Sequence, residues 1–125
     1  MLTGFEQETA PLNAIELRAA RIIAYCLITG HTGADKAVTA QHICNAMAQQ
    51  SAEFRDEKGR PYLNGARIRK IVNHLRVTGA CPRLIASSKG YYISNDRQEI
   101  TEYIQSLYAR AEAILAVAKQ MQTTI

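Results

Sequence analysis

No stretch of eighteen consecutive apolar residues occurs in the chain; the longest is broken by Arg18 and Arg21, so a membrane-spanning helix is not expected. The first residues, Met1 to Glu6, lack the basic-then-apolar order of a secretion signal. Cysteine is sparse and scattered: Cys26, Cys44 and Cys81 are odd in number and form no CxxC pair, which excludes a disulfide framework and fits a reducing cytoplasm. His31, His42 and His74 are equally dispersed. His42 and Cys44, two residues apart, would point about 200° apart on a helix, so neither a metal nor another cofactor is expected. No glycine-rich phosphate loop precedes a helix, and no Ser, His and Asp fall into a nucleophilic motif. Asp56 and Glu57 stand in a loop without metal-like companions. An enzyme is therefore not expected. Tyr91 and Tyr92 have no further aromatics around them to line a groove, which favours sheet packing over a stacking platform for single-stranded bases.

What is present suits one packed domain: 125 residues, 47% of them hydrophobic and 21% charged. The formal net charge is +4, and its distribution says more than its size. Residues 1–54 are net negative, 55–59 cancel, and 90–125 are slightly negative. Between 60 and 89 lie Arg60, Arg67, Arg69, Lys70, Arg76, Arg83 and Lys89 without one Asp or Glu. All the excess positive charge thus sits in one thirty-residue window, and a concentrated field of that sign selects for a polyanion.

Helix starts are marked by caps with an apolar residue before the cap and another inside the helix, each a hydrophobic staple. Asn13 lies between Leu12 and Leu17, with Glu16 at the capping-box position; Thr39 lies between Val38 and Ile43, and Asn64 between Leu63 and Ile68. Helices are expected over 13–29, 39–50 and 64–78. The first carries Ile15, Ala19, Ile22, Ile23, Cys26 and Leu27 on one face and ends at Gly30. The second carries Ile43, Met47 and Phe54 and either continues towards Lys58 or gives way to an inserted loop, because about fourteen residues separate Gln49 from Asn64. The third has Ile68, Ile71, Val72 and Leu75 as its apolar stripe, Ala66, Arg69, Lys70 and Asn73 opposite, and Arg67, His74 and Arg76 on the flanks.

Two short apolar runs follow, 84–88 and 91–95, and Lys89 with Gly90 reads as the two-residue turn of a hairpin. Asp96 with Glu99 opens a last helix over 96–121. There Ile100, Ile104, Leu107, Ala111, Ile114, Ala118 and Met121 alternate by four and three, a heptad seam for packing on the first helix or for a dimer. The fold class is mainly α with a small β-hairpin. Residues 1–12 and 122–125 read as loose ends, 13–95 as the domain and 96–121 as the packing or dimerisation helix.

From Asn13 to Met121 the chain resembles winged helix-turn-helix proteins of bacteria, phages and prophages. The resemblance is carried by Val38 to Ile43 for the second helix, Gly65 to Arg76 for the recognition helix and Ser87 to Tyr92 for the wing. It implies sequence-specific binding of double-stranded DNA by a small cytoplasmic transcriptional or phage-type regulator, the third helix in the major groove and the wing on the backbone. Arg69, Lys70 and Asn73 would face base edges; Arg67, His74 and Arg76 would flank them; Lys89 would reach the backbone or minor groove, and Arg60 and Arg83 would act like Lys89. A two-fold dimer through the last helix would set two recognition helices about one DNA turn, roughly 34 Å, apart. The same fold also serves as a non-catalytic protein-interaction adaptor, which is the alternative.

Overall fold

In a computed structural model, which describes residues 9–125, helix α1 (Ala14–Gly30) starts where the caps require. Asn13 and Glu16 close a reciprocal capping box: the Glu16 backbone N–H donates to Asn13 Oδ1 at 2.8 Å, and the Asn13 N–H donates to Glu16 Oε1 at 2.9 Å. Helix α2 (Ala40–Gln50) is capped by the Thr39 hydroxyl, α3 (Gly65–Val77) by Asn64 Oδ1 and α4 (Arg97–Gln122) by the Asp96 carboxylate. Strands β1 (Leu84–Ser87) and β2 (Gly90–Ile93) form an antiparallel hairpin between α3 and α4. The chain is thus mainly helical with one small hairpin and a long last helix. Of the segment read as a loose N-terminal end, residues 1–8 lie outside the described residues, while Leu12 packs against the core.

The described residues fall into two units, the first ending at Ser94 and the second running from Asn95 to Ile125. In the first, Ile68, Ile71, Val72 and Leu75 of α3 are buried against Ala19, Ala20, Ile23 and Leu27 of α1 and Ile43 and Met47 of α2 in one cluster. The α1 face differs in one respect from the sequence expectation. Cys26 is exposed, whereas Glu16 and Ala20 are buried, so the stripe runs 16, 19, 20, 23, 27. Its two alanines leave room for the close approach of α3, and Cys26 is left on the rim of a groove against α2.

Helix α2 stops at Gln50, and the residues that follow are an inserted loop rather than more helix. Ser51 is extended, and its hydroxyl accepts from the Glu53 N–H of a short 3-10 turn, Ala52–Phe54. Phe54 and Leu63, both 2% exposed, pin the two ends of the loop in the core. Between them Arg55 pairs with Pro61, and Asp56 Oδ1 accepts from the backbone N–H groups of Lys58 and Arg60, both at 2.9 Å. The fourteen-residue gap is therefore an ordered small hairpin, closed by an Asp that satisfies its own turn.

The register of the main hairpin corrects the expected turn. Leu84 faces Ile93 and Ser87 faces Gly90, so Ser88 and Lys89 form the turn and Gly90 opens the second strand. Gly90 is needed for a different reason: with φ +123°, a Cβ there would lie 2.3 Å from the Val38 carbonyl oxygen. That close approach is a third piece of sheet. Tyr91 N–H donates to Val38 O at 2.8 Å, Val38 N–H donates to Tyr91 O at 2.9 Å, and Thr32 bridges Ile93. The segment between α1 and α2 thus covers the outer edge of β2. Because the shift moves both strands together, Leu84, Ala86 and Ile93 still share one face and Ile85 and Tyr92 the other.

The second unit is α4, 26 residues and about 39 Å long. None of its residues is buried. Ile104, Leu107, Ile114 and Met121 of the heptad seam are exposed, as are Tyr108, Leu115 and Val117 beside it. No helix among the described residues is long and apolar enough to cross a membrane.

Candidate nucleic-acid interface

The basic window divides over α3, the turn before β1 and the two hairpins. Burying Ile68, Ile71, Val72 and Leu75 turns the opposite side of α3 outward, and helical spacing sorts its polar residues onto two flanks. Arg67, Lys70 and His74 lie on the flank towards the start of α1. Arg69 and Arg76, seven residues and about 20° apart, lie on the other, where the Arg76 Nε–H donates to the Leu84 carbonyl at 3.1 Å and ties α3 to the first strand of the hairpin.

On the first flank the cations are engaged within the domain. The Glu16 side chain is wholly buried; Lys70 Nζ lies 2.7 Å from its Oε1 and Arg67 Nη1 3.1 Å from its Oε2. The Arg67 guanidinium also sits 4.2 Å from the centroid of the Tyr62 ring, and the Tyr62 hydroxyl accepts from Asn13 Nδ2 at 2.9 Å. Burial opposes the Glu16 charge, but the hydrogen bonds from Lys70, the Asn13 N–H and Arg67 outweigh it and hold the carboxyl below its ordinary pKa. Lys70, read from the sequence as facing base edges, keeps a side chain only 15% exposed because this carboxylate draws it inward.

On the second flank Arg69 is exposed. Its guanidinium folds back over the first turn of α3, with Nη1 3.5 Å from where a Cβ of Gly65 would stand. Asn73 and His74 are half-buried. Lys89 is exposed at the hairpin turn, where the Ser87 hydroxyl accepts from its N–H. Arg83 is exposed in a left-handed backbone conformation (φ 63°) just before β1, and Arg60 is exposed at the base of the inserted loop. Of the nine residues expected to meet DNA, Arg69, Lys89, Arg83 and Arg60 are thus exposed, and Arg67 and Lys70 serve Glu16.

Two features escaped the sequence reading. Glu16 was legible as a cap, but it also lies three and four residues before Ala19 and Ala20, and that spacing places it on the buried stripe. The pairing of Val38 with Tyr91 joins residues 53 positions apart and leaves no local pattern. Burial pushes the Cys44 and Cys81 thiols up in pKa, which keeps them protonated and unreactive.

Comparison with known protein families, with curated proteins and with solved structures gives no match.

Proposed function

We propose that the chain is a sequence-specific double-stranded DNA-binding protein, a small cytoplasmic transcriptional or phage-type regulator that sets α3 in the major groove and the β1–β2 turn on the backbone. The observation that carries this reading is the presence of exposed cations on two elements that one hydrogen bond joins. Arg69 lies on the flank of α3 that Arg76 ties to β1, and Lys89 stands exposed at the turn of the same hairpin. A helix with that flank outward suits a groove about 12 Å wide, and a single lysine on a tight turn suits a phosphate. Arg83 and Arg60 extend the cationic surface without an intervening acid in the sequence window.

The long last helix serves, in this reading, to pair two copies. Its heptad seam from Ile100 to Met121 presents isoleucine, leucine and methionine to solvent, and Ala111 and Ala118 permit close approach of a second helix. A two-fold pair reads a palindromic site.

The test is a salt titration with an unrelated duplex. A surface that displaces counterions gives a steep fall of log affinity with log salt, whereas a protein-interaction adaptor built on the same fold gives none and would replace this reading. Selection of bound fragments from a genomic library then supplies the specific site, and light scattering at micromolar concentration reads the dimer.

A further inference from the structure

We propose that the groove between α1 and α2 binds a small neutral aromatic effector with one hydrogen-bond donor, a phenolic compound, and that its occupancy is felt by the β1–β2 hairpin. Only the effect on duplex binding rests on the function proposed above. Cys26 stands on the rim of this groove, and below it Ile23 and Leu27 of α1, Ile43 and Met47 of α2, and Val38 wall an apolar cavity of about 150 Å³. An apolar cavity of roughly that volume accepts a six-membered ring. A second cavity of about 280 Å³ adjoins it, walled by Ala37 and Thr39 together with His31, Val38 and His42, which line both. No Asp, Glu, Lys or Arg lines either, so an ionised ligand would enter without a carboxylate, ammonium or guanidinium to pair with. The occupant is therefore neutral.

His31, half-buried where the two cavities meet, names the polar group. Its Nδ1 lies 2.8 Å from the Lys36 carbonyl oxygen; a carbonyl only accepts, so Nδ1 carries the proton and Nε2 of the neutral ring is left to accept. A ligand whose ring fills the apolar cavity and whose hydroxyl donates to Nε2 meets both demands. The same walls hold the hairpin. The Ile93 N–H donates to the His31 carbonyl at 2.8 Å, the Tyr91 N–H to the Val38 carbonyl at 2.8 Å and the Val38 N–H to the Tyr91 carbonyl at 2.9 Å. A ligand that favours one arrangement of His31 and Val38 thereby favours one arrangement of β2.

Titration of the full chain with phenol and with toluene, which match in size and differ in the donor, tests the proposal by NMR at mildly alkaline pH. Phenol is expected to shift the Ile23, Ile43 and Met47 methyl signals saturably and to bind about ten-fold more tightly than toluene, the factor for one hydrogen bond. In His31→Leu that preference is expected to vanish while toluene still binds. Methyl signals unmoved by phenol overturn the site, and equal affinities for phenol and toluene in the parent overturn the ligand class whatever His31→Leu does. Hydrogen exchange of the Tyr91 and Ile93 amides is expected to slow about three-fold in saturating phenol, and unchanged exchange overturns the link to the hairpin. Saturating phenol is also expected to tighten duplex binding about three-fold, and unchanged binding overturns the regulation. If no form binds duplex at low salt, the function proposed above fails, while the methyl and amide signals still decide the site.

Discussion

On α3, Arg67 and Lys70 turn towards the start of α1 and close on the buried carboxylate of Glu16, while Arg69 lies on the other flank and is exposed. The three carry the same formal charge within four residues of one another. Two of them share one buried acid on a neighbouring element. A formal charge count over a window therefore overstates the field that a partner meets, because cations that neutralise a buried carboxylate contribute to the interior of the domain and little to its surface.

The largest expected effect breaks the first flank. Glu16→Gln keeps the shape of the cap but leaves Lys70 and Arg67 without the charge that holds them, and it should cost about 3 kcal/mol or more in denaturant unfolding. The pH dependence follows from the lowered pKa of Glu16. A carboxyl whose folded value lies below its unfolded value, about 4.3, contributes its full stabilisation above that unfolded value and loses it as pH falls through the folded one. The parent protein should thus lose stability on acidification through that window, and Glu16→Gln should lose less. A cost under about 1 kcal/mol, typical of surface pairs, would mean that the two flanks do not differ.

Next in size is Gly90→Ala, which tests what fixes the hairpin beside the second flank. A Cβ 2.3 Å from the Val38 carbonyl, at a φ of +123°, forces the Val38 segment away. The expected loss is about 2 to 3 kcal/mol. Gly65→Ala is the matched control on α3 itself: its Cβ would meet only the Arg69 guanidinium, at 3.5 Å, so thermal unfolding should show little change or a small gain from helix propensity.

Local chemistry explains how much of this was readable in advance. Caps, staples and the four-and-three spacing act within a few residues, so the starts of α1, α2 and α3 and the buried stripe of α3 followed directly from the sequence. The inserted loop was visible only as a gap, because the Asp56 turn that orders it depends on Phe54 and Leu63 being anchored elsewhere. The hairpin turn was misplaced by one residue since Gly90 looks like a turn residue until Val38 is brought against it. For the candidate interface the basic residue types were legible and their burial was not. That Lys70 lies inward and Arg69 outward depends on a buried acid 54 positions before Lys70, which no spacing rule reports.

A smaller effect is expected at Arg69, the residue proposed to read bases. Arg69→Ala should weaken a selected site by about 1 to 3 kcal/mol and flatten its sequence preference, as loss of a bidentate base contact does. Equal loss on selected and random duplexes, read by fluorescence anisotropy, would turn α3 into a nonspecific clamp and remove the functional meaning of the exposed flank.

The smallest effect sharpens the comparison most, because it asks whether a lysine is present to DNA at all. Lys89 is exposed on a tight turn, and its removal should weaken all duplexes alike and lower the slope of log affinity against log salt by about one unit. Arg60 and Arg83, also exposed, should behave in the same way. Lys70 has the same side chain and the same charge, but its ammonium is 2.7 Å from Glu16, and the counterion it would release from DNA is already replaced by that carboxylate. Lys70→Met should therefore leave the salt slope unchanged while lowering stability in the same preparation, whereas Lys89→Ala should lower the slope and leave stability within about 0.5 kcal/mol of the parent. If Lys70→Met reduced the slope as much as Lys89→Ala, the Glu16 pair would be opening on binding, and both flanks of α3 would be part of the DNA surface.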